Sequence, residues 1–580
     1  MKKNNTVKFI FLTTLIFILI IIMFSVFHLL QYEGFNPSDD GVIAAQSFRL
    51  MHGEIPHKDF IAIRPAGSGY LHLLDFIVPI PMMEAGRWLT VFEYFFYSSC
   101  WIFLILIVLN KTDFSRRYPL LTGSLILIAF CLTIQIKQIF PWTTVDAIFF
   151  TSFGLTFLFQ SIDFSSFKLN KTASAIAALL FMSCAALCRQ TFVFPLCISG
   201  LAILIGGYHS KKIFPALLAG ITGILPILIY FIYLILNSAL PDFINQMTGR
   251  TELFHTGIFE YGVHLFYTPW LALYLIYAFI LFALRFKKNN FQKYLNSADG
   301  LTALLISSCS VAMFFSEFQK TIPFVFFWTV LYLSCRLYLA KHRGNFLFLS
   351  FASLLLAWTG SISLGDNSPL FCSGILISVI AMQLFLLHED FVTTFFKKKK
   401  KAFQIGSLIS ALSILSFTIY SQGRFNYRDL PRDQLTETLK EYFPEMGNIH
   451  TNKNTRAYYD ELLRIKNELH IPQNHLVVLP NNAAIYPLLN SGNPFPVDWA
   501  QGNEYIGAKD KMFADIKSAI KTEKLYILVD KMDSKYMFDG FEPFKPDYPF
   551  NHEYLPIIET SEICTKANID SPFFNIYISN

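Results

Sequence analysis

The sequence predicts a polytopic α-helical membrane protein with a small α/β domain at its C-terminal end. Three observations lead to this prediction: long apolar segments, Lys and Arg gathered between alternate segments, and a change of composition near residue 423. Of the 580 residues, 53% are hydrophobic and only 15% are charged, and Phe alone accounts for 62. Soluble domains rarely have this composition, whereas apolar segments of about 20 residues span the hydrocarbon of a bilayer.

The first apolar segment, residues 9–30, follows a basic N-terminus and is predicted to be a retained membrane anchor. A signal peptide has a shorter apolar core of about 7–15 residues and a cleavage site of small residues, which this segment lacks. Twelve further segments bring the predicted total to about thirteen spans. They are 84–109, 118–136, 143–161, 172–188, 190–208, 213–236, 264–284, 299–315, 320–340, 345–363, 369–387 and 403–421.

The basic residues predict the orientation of these spans. With a cytoplasmic N-terminus, the predicted inner loops carry clusters of Lys and Arg, whereas no predicted outer loop after the first has more than a single cation. This positive-inside distribution accounts for the net charge of +6 without a nucleic-acid partner. An odd number of spans then places residues 423–580 outside. The five lysines at 397–401 are interpreted as an orientation anchor that contacts anionic lipid head groups.

Residues 423–580 are predicted to form a small extracytoplasmic α/β domain. Residues 455–469 and 508–520 have helical periodicity, and residues 475–479 and 525–529 are short aliphatic runs of strand length. Helices that alternate with strands of this length are typical of an α/β unit. The chain contains no glycine-rich nucleotide motif and no zinc-protease motif.

The multi-spanning module, residues 1–422, contains the main candidate site in its first extracytoplasmic loop, residues 31–83. Asp39 and Asp40 follow the first span and immediately precede a short helical pattern. An Asp in this position often caps a helix, because its carboxylate accepts hydrogen bonds from the free N–H groups of the first turn. The alternative is catalysis: a carboxylate that faces a membrane protein's own cavity is able to take a proton from an acceptor hydroxyl or amine.

Further polar residues are predicted on the same side of the membrane. Asp146 stands at the outer start of the fourth span, either as an interfacial cap or as a second carboxylate of the same cavity. Arg189 and Gln190 interrupt an apolar run, and a guanidinium binds phosphate in bidentate fashion, so Arg189 is a candidate clamp for a departing phosphate. Each remaining outer cation is by itself an ordinary loop residue, but together they are candidates for the same role. They are Arg64, Arg250 and Lys320.

The histidines of the predicted outer loops do not have zinc-ligand spacing, and we expect them to be solvated or to support other site residues. They are His52, His57, His72 and His255. The cysteines lie mostly in apolar segments and indicate no disulfide framework. Carboxylates that border a cavity also bind divalent cations weakly, and the sequence leaves open whether a cation is needed.

The first loop resembles that of bacterial membrane glycosyltransferases of the GT-C fold. The stretch DDGVIAAQSFRLMHGEIPHKDF resembles the acidic pair, helix and Gly-Glu-x-Pro segment of the family-39-type enzymes, relatives of protein O-mannosyltransferases and of the aminoarabinose transferase that modifies lipid A. RPAGSGYLHLLDF resembles their Lys-Pro-Pro segment, from which Ala66 departs. TTVDAIFF and LCRQTFVFPL resemble their segments at the start of the fourth span and at the end of an inner span.

The resemblance implies an inverting sugar transfer from a polyprenyl-phosphate carrier at the extracytoplasmic face of the cytoplasmic membrane. It implies that Asp39 is catalytic with Asp40 beside it, that Asp146 belongs to a second polar site, and that Arg189 and Gln190 contact the donor phosphate. The acceptor, a lipid, a glycan or a protein, is not specified.

Two other functions remain open from the sequence. One is a transporter or flippase for lipid-linked saccharides, and the other is a polymerase or ligase that uses the same carrier. Transporters often have paired repeats and helices broken at mid-membrane, and the sequence indicates neither. A polymerase or ligase usually has its large loop late in the chain. The long acidic first loop and the polar C-terminal region therefore favour the transferase.

Overall fold

The computed structural model describes most of the chain, and the account below concerns these residues. They are 32–109, 119–135, 139–248, 291–315, 321–339, 344–362, 368–424, 426–505, 507–531, 554–559 and 563–579, with the single residues 25, 28, 263, 265, 275 and 276. Apart from these single residues, the predicted spans at 9–30 and 264–284 lie outside the described part.

The chain before residue 425 is mainly helical, as its apolar segments predict. The longer helices, labelled in chain order, are α1 (Gly41–Met51), α2 (Met82–Val108), α3 (Pro119–Ile134), α4 (Thr143–Ser161), α5 (Thr172–Cys188), α6 (Val193–His209), α7 (Ile213–Gly223), α8 (Leu225–Leu236), α9 (Leu240–Thr248), α10 (Phe291–Ala312), α11 (Ile322–Leu339), α12 (Asn345–Ser361), α13 (Ser373–Leu387) and α14 (Glu389–Arg424). Short helical segments, Gly67–Leu71 and Leu74–Ile77, lie between α1 and α2. Helix α14 is interrupted at Lys399, within the predicted lysine anchor.

Five helical segments of the described part are long and apolar enough to cross a membrane. They are Met82–Val108, Gln190–His209, Ile322–Leu339, Leu370–Leu387 and Lys401–Arg424. Helices α7 and α8, which meet at a bend of 45°, form a sixth if the pair is one span. Helices are present at every predicted span that falls within the described residues, which confirms a multi-pass helical architecture. The total of about thirteen spans stays a prediction.

Helices α4 and α5 approach each other closely because small residues line their contact. Ala175 and Ala178 of α5 are fully buried. A side chain at Gly154 of α4 would bring its Cβ within 3.0 Å of the Ala178 carbonyl oxygen and 2.7 Å of Met182. Small residues at such contacts allow helix backbones to pack tightly in membrane proteins. This packing brings the start of α4 beside the end of α5, where Asp146 and Arg189 are located.

Beyond residue 425 the chain forms an α/β unit. Its longer helices and main strands are α15 (Lys453–Glu468), β1 (Leu476–Leu479), α16 (Lys509–Thr522), β2 (Tyr526–Asp530), β3 (Cys564–Lys566) and β4 (Phe574–Ser579). The sheet order is β1-β2-β4-β3, with β1 and β2 parallel and β4 antiparallel to both of its neighbours. In the parallel pair Leu476 stands opposite Tyr526 and Leu479 opposite Val529. The predicted helices and strands of this region are present, with ends that differ by one or two residues.

Shorter elements complete the described part. Two-residue ladders pair Ile162–Asp163 with Lys168–Leu169, and Glu437–Thr438 with His450–Thr451. Single helical turns are Ile485–Leu488, Gly502–Tyr505 and Leu555–Glu559, and 3-10 turns are Gln190–Phe192, Leu370–Cys372, Arg432–Gln434 and Pro444–Met446. Residues 490–503, between β1 and α16, contain only the start of one such turn.

The first loop and the C-terminal unit share one hydrophobic core. Phe35 and Ala44 of the loop and Met82 at the start of α2 pack in the same buried cluster as Tyr459 and Leu462 of α15. Burying an aromatic or aliphatic side chain stabilises a fold by about 1.5–3 kcal/mol, so these contacts hold the two parts together. The division at residues 422 and 423 and the extracytoplasmic location of the C-terminal unit stay predictions.

A buried ion pair joins the same two parts. Nε of Arg49 on α1 donates to both carboxylate oxygens of Asp498, at 3.0 and 2.9 Å, and Nη2 donates to the Phe495 carbonyl at 2.6 Å. The remaining Nη1 pairs with Glu54 at 2.6 Å. Because every guanidinium nitrogen has a partner, α1 is fixed in both position and rotation against the C-terminal unit.

Candidate active site

Asp39 and Asp40 precede α1, and both side chains are buried. Asp40 occupies the cap position, but its side chain makes no capping hydrogen bond, so the helix-cap interpretation of Asp40 is wrong. Instead, the carboxylate of Asp40 accepts a hydrogen bond from the backbone N–H of Asn36 at 2.8 Å. The Asn36 side-chain oxygen in turn accepts from the N–H of Asp39 at 2.9 Å. This turn directs both carboxylates away from the helix end and towards other parts of the chain.

The carboxylate of Asp40 faces Arg87, in the second turn of α2. Nη2 of Arg87 lies 3.3 and 3.2 Å from the two carboxylate oxygens and also donates to the Gly34 carbonyl at 2.7 Å. Burial raises the pKa of Asp40 to about 6, although the Arg87 guanidinium and the Asn36 N–H lower it. Asp40 therefore titrates near neutral pH, the range in which a carboxyl group works best in proton transfer.

The carboxylate of Asp39 faces a different cation, Arg428, which follows α14. Nη1 of Arg428 lies 3.0 Å from Oδ2 of Asp39, and the Arg428 side chain is 41% exposed, whereas that of Asp39 is 1% exposed. The neighbouring Tyr427 packs on Phe140, with ring centroids 5.6 Å apart. Asp39 is thus the member of the pair whose counter-ion reaches solvent.

The loop that follows β1 covers the acidic pair. The Ser38 hydroxyl donates to the Asn481 carbonyl at 2.6 Å, and the N–H of Ala484 donates to the Pro37 carbonyl at 3.0 Å. A Cβ at Gly41 would lie 2.2 Å from the Ala484 nitrogen, so only glycine fits at the first position of α1. The carboxyl end of a parallel strand, a common ligand-binding edge in α/β units, therefore forms one wall of this site.

A second cluster of ionisable groups lies around His72, a fully buried residue between two short helical segments. Nδ1 of His72 is 2.7 Å from the Asp75 carboxylate, and Nε2 is 3.5 Å from that of Asp146 on α4. Glu93 of α2 interacts with Asp146 and His72. Neither Glu93 nor Asp146 accepts a hydrogen bond of ordinary geometry from a described residue. One imidazole thus faces three buried carboxyl groups, and we name these four residues the His72 cluster.

The electrostatics of this cluster favour a charged histidine. Burial alone lowers the pKa of His72, but the carboxylates of Asp75 and Asp146 outweigh burial and hold the pKa well above its usual value. His57, the other buried outer-loop histidine, has the opposite environment: burial lowers its pKa to about 4, and its ring nitrogens bond to Gln246 and Tyr230. Neither histidine is solvated, and His72 instead contacts Asp146, which is the other alternative expected from the sequence.

The acidic pair and the His72 cluster border the same end of α2. Arg87 binds Asp40, and a Cβ at the preceding Gly86 would lie 2.8 Å from Oδ2 of Asp75. Asp75 is connected through His72 to Asp146, so consecutive residues of one helix contact both groups. The structure therefore brings the predicted Asp39, Asp40 and Asp146 to one region of the molecule.

Arg189 lies in the same region and contacts the ends of two other helices. It is buried, and its Nη1 donates to the hydroxyls of Thr144 at 2.6 Å and Thr143 at 3.3 Å, while Nη2 donates to the Ile362 carbonyl at 2.7 Å. These partners lie at the start of α4 and beyond the end of α12. Arg189 thus cross-links three helix ends, a position that the sequence alone did not predict.

Gln190 and Arg64 come close together, also at this end. Nε2 of Gln190 donates to the Ile63 carbonyl at 3.0 Å, next to Arg64 in the chain. Nη2 of Arg64 lies 3.5 Å from the Glu504 carboxylate of the C-terminal unit. The other two predicted cations lie outside the described residues. They are Arg250 and Lys320.

An apolar cavity of about 360 Å³ lies between α4, α6 and α12. Thr151, Pro195 and Leu355 line it, and Leu201 and Phe351, which are 58% and 54% exposed, open it to the side. Thr151 is two helical turns, about 10 Å, along α4 from the threonine that binds Arg189. The cavity is therefore a lateral groove that begins below a buried guanidinium.

Within the described residues, no group of three or more His, Cys, Asp or Glu side chains, the His72 cluster included, has an arrangement that could hold a metal ion. Sequence reasoning missed Arg87, Arg428 and Glu93 as site residues. Arg87 and Glu93 carried a signal, because ionisable residues within an apolar segment are typical of functional positions. Arg428 carried none, since it meets Asp39 only through the tertiary fold.

No protein-family profile and no curated protein sequence matches the chain. Among solved structures, it is similar to ArnT from Cupriavidus metallidurans bound to undecaprenyl phosphate, with 10% identity, 98% of both chains covered and a TM-score of 0.49. It is also similar to the same protein in the apo state, with 11% identity, 98% coverage of both chains and a TM-score of 0.39. The chemistry inferred for the present chain rests on its own residues.

Proposed function

We propose that this protein is a membrane glycosyltransferase that moves a sugar from a polyprenyl-phosphate donor to a lipid, glycan or protein acceptor, with inversion at the anomeric carbon. The observation that carries the proposal is the pairing of Asp39 with a partly exposed Arg428 beside the buried Asp40–Arg87 pair. A buried carboxylate whose counter-ion reaches solvent becomes accessible to an incoming acceptor when that counter-ion moves. It also remains next to the helix ends that border the lipid.

In the proposed reaction Asp39 is the general base. Its carboxylate takes the proton of the acceptor hydroxyl or amine while the acceptor atom attacks the anomeric carbon from the face opposite the phosphate. The new glycosidic bond forms as the bond between the anomeric carbon and the phosphate oxygen breaks, and the phosphate leaves with the electron pair. Asp40, held by Arg87, keeps the neighbouring backbone turn in place.

The donor is proposed to enter from the lipid. Its phosphate binds near Arg189 with Gln190 and Arg64 beside it, because guanidinium groups bind phosphate oxygens in bidentate fashion and stabilise the developing charge. Its isoprenoid chain lies in the lateral groove, whose lining is almost entirely apolar. Asp146, behind the first loop, belongs to the same site and is proposed to orient the sugar. Arg250 and Lys320 are proposed as further phosphate contacts.

The proposed location is the cytoplasmic membrane of the cell, with the N-terminus inside and the C-terminal α/β unit outside. This orientation follows from the distribution of Lys and Arg and puts the acidic pair at the extracytoplasmic face. There the C-terminal unit covers the catalytic loop, as its contacts with Ser38 and Arg49 support.

The test compares cells that lack the protein with cells that express the wild type or Asp39→Asn. Mass spectrometry of glycolipids, surface glycans and glycoproteins is expected to detect one sugar modification with the wild type and none with the variant at an equal membrane level. Asp59→Asn is the matched control, since Asp59 is an exposed carboxylate of the same loop that accepts a local hydrogen bond from the Ile55 N–H. An unchanged glycan profile with the wild type, or lipid transport without sugar transfer, would overturn the proposal.

A further inference from the structure

We propose that Arg428 is a displaceable counter-ion: it covers Asp39 in the free protein and moves to the donor phosphate when the donor binds, which exposes the Asp39 carboxylate to the acceptor. This inference rests on the proposed function and assigns a positioning role to a residue of the segment after α14. It concerns the class of ligand that carries a phosphate monoester or diester group on an apolar chain.

Three Arg–Asp pairs of the same region differ in their exposure and in the number of their hydrogen bonds. In the Arg49–Asp498 pair, both side chains are at most 5% exposed, and the guanidinium donates several aligned hydrogen bonds. Arg87 is 1% exposed and also donates to the oxygens of Asp40. The contact between Arg428 and Asp39 differs from both: one nitrogen approaches one oxygen at 3.0 Å, and 41% of the Arg428 side chain is exposed.

The geometry of this third contact is loose. Oδ2 of Asp39 is fully buried, yet within the described part of the chain it accepts no hydrogen bond of ordinary geometry, including from Arg428. A single contact from a guanidinium that reaches solvent holds its carboxylate less firmly than the several aligned hydrogen bonds of a buried pair. Arg428 is therefore the guanidinium of the three that exchanges a carboxylate for a phosphate most readily.

Arg428 and the proposed phosphate site border the same segment of the chain. Tyr427 packs on Phe140, and the guanidinium of Arg428 lies over the Tyr427 ring, 5.3 Å from its centroid. Arg189 binds Thr143, three residues after Phe140. Three residues span at most about 11 Å of backbone. The two guanidinium groups thus border one segment, 140–144.

The other charges near Asp39 have fixed partners. Asp40 is bound to Arg87, and Glu33 is paired with Arg432. The adjacent Asp429 accepts hydrogen bonds from the N–H of Phe35 and from the side chain of Asn452, the residue before α15. A donor phosphate therefore competes with Asp39 for Arg428, and the neighbouring ion pairs do not have to rearrange.

The test is a double-mutant cycle of lipid binding that needs no turnover. A short-chain polyprenyl phosphate without sugar is titrated into the purified full-length protein in lipid nanodiscs, with wild type, Arg428→Gln, Asp39→Asn and the double variant. Arg428→Gln is expected to weaken binding about three- to tenfold. Asp39→Asn is expected to strengthen binding by a similar factor, because Arg428 is then free for the phosphate. The double variant is expected to match Arg428→Gln.

Arg432→Gln serves as the control, since Arg432 belongs to the same segment and is 42% exposed. It is expected to leave the affinity within about twofold, and equal melting temperatures establish that all variants are folded. Weaker or unchanged binding by Asp39→Asn, or an Asp39→Asn effect that persists with Gln at position 428, would refute the exchange. Absence of any polyprenyl-phosphate binding by the wild type would instead refute the proposed function.

Discussion

The acidic pair and the His72 cluster lie on either side of the first two turns of α2, yet they balance charge in opposite ways. Each member of the acidic pair has a guanidinium partner, and one of these partners reaches solvent. The His72 cluster has one imidazole for three carboxyl groups and is closed to solvent. On the proposals above, the first group exchanges partners, whereas the second keeps its internal contacts and thereby positions Asp146.

The largest expected effect is a loss of stability when the His72 cluster is changed. His72→Leu removes the cation that Asp75 and Asp146 face, and a buried carboxylate without its partner destabilises a protein by about 3–5 kcal/mol. We expect a large fall in melting temperature in detergent and a low yield of folded protein. His52→Leu, at an exposed histidine of the same loop, is the control and is expected to change stability little. A stable His72→Leu variant would show that the cluster does not hold the fold together.

An intermediate effect is expected where the phosphate is proposed to bind. Arg189→Ala removes a guanidinium that cross-links helix ends and is proposed to contact the donor, and hydrogen bonds to charged groups contribute about 1.5–3 kcal/mol. We expect kcat/KM for the donor to fall about 10- to 100-fold. Arg464→Ala, at an exposed arginine of α15 remote from the site, is the matched control. Equal donor affinity in Arg189→Ala and wild type would remove the phosphate-contact role.

A smaller effect is expected on the pH dependence of activity, through Asp40 of the acidic pair. Since the pKa of Asp40 is raised to about 6, it is ionised above that pH and loses its ion pair with Arg87 as the pH falls through it. Activity should therefore rise between about pH 5 and 7. Arg87→Gln removes a group that lowers this pKa, so the rise should move to higher pH in a pH–rate profile.

Stability provides the control for this profile. The folded pKa of Asp40 lies above the unfolded value of 3.8, so its contribution to stability is fully present below that value and is lost as the pH rises through about 6. The loss of activity at pH 5 is thus expected without a loss of stability from this residue. An acidic limb that coincides with unfolding would contradict the assignment.

The same comparison explains what the sequence could predict. Apolar segments of span length predicted the helices. The distribution of Lys and Arg, together with the count of spans, predicted that Asp39, Asp40 and Asp146 lie on the same side of the membrane. The partners of these residues were out of reach, because Arg428 is nearly four hundred positions from Asp39 and nothing local indicates that they meet. His72 and Asp75 are three residues apart, but only the approach of α4 reveals that this pair faces Asp146.

The most direct test of the central claim is sugar transfer by purified protein in nanodiscs that contain a polyprenyl-phosphate sugar and an acceptor found in the glycan comparison. Loss of a positioned general base reduces rates by about 10²–10⁴-fold. We predict such a loss of kcat for Asp39→Asn, with donor binding at least as strong as in the wild type. Wild-type turnover by Asp39→Asn would contradict the catalytic role of this carboxylate.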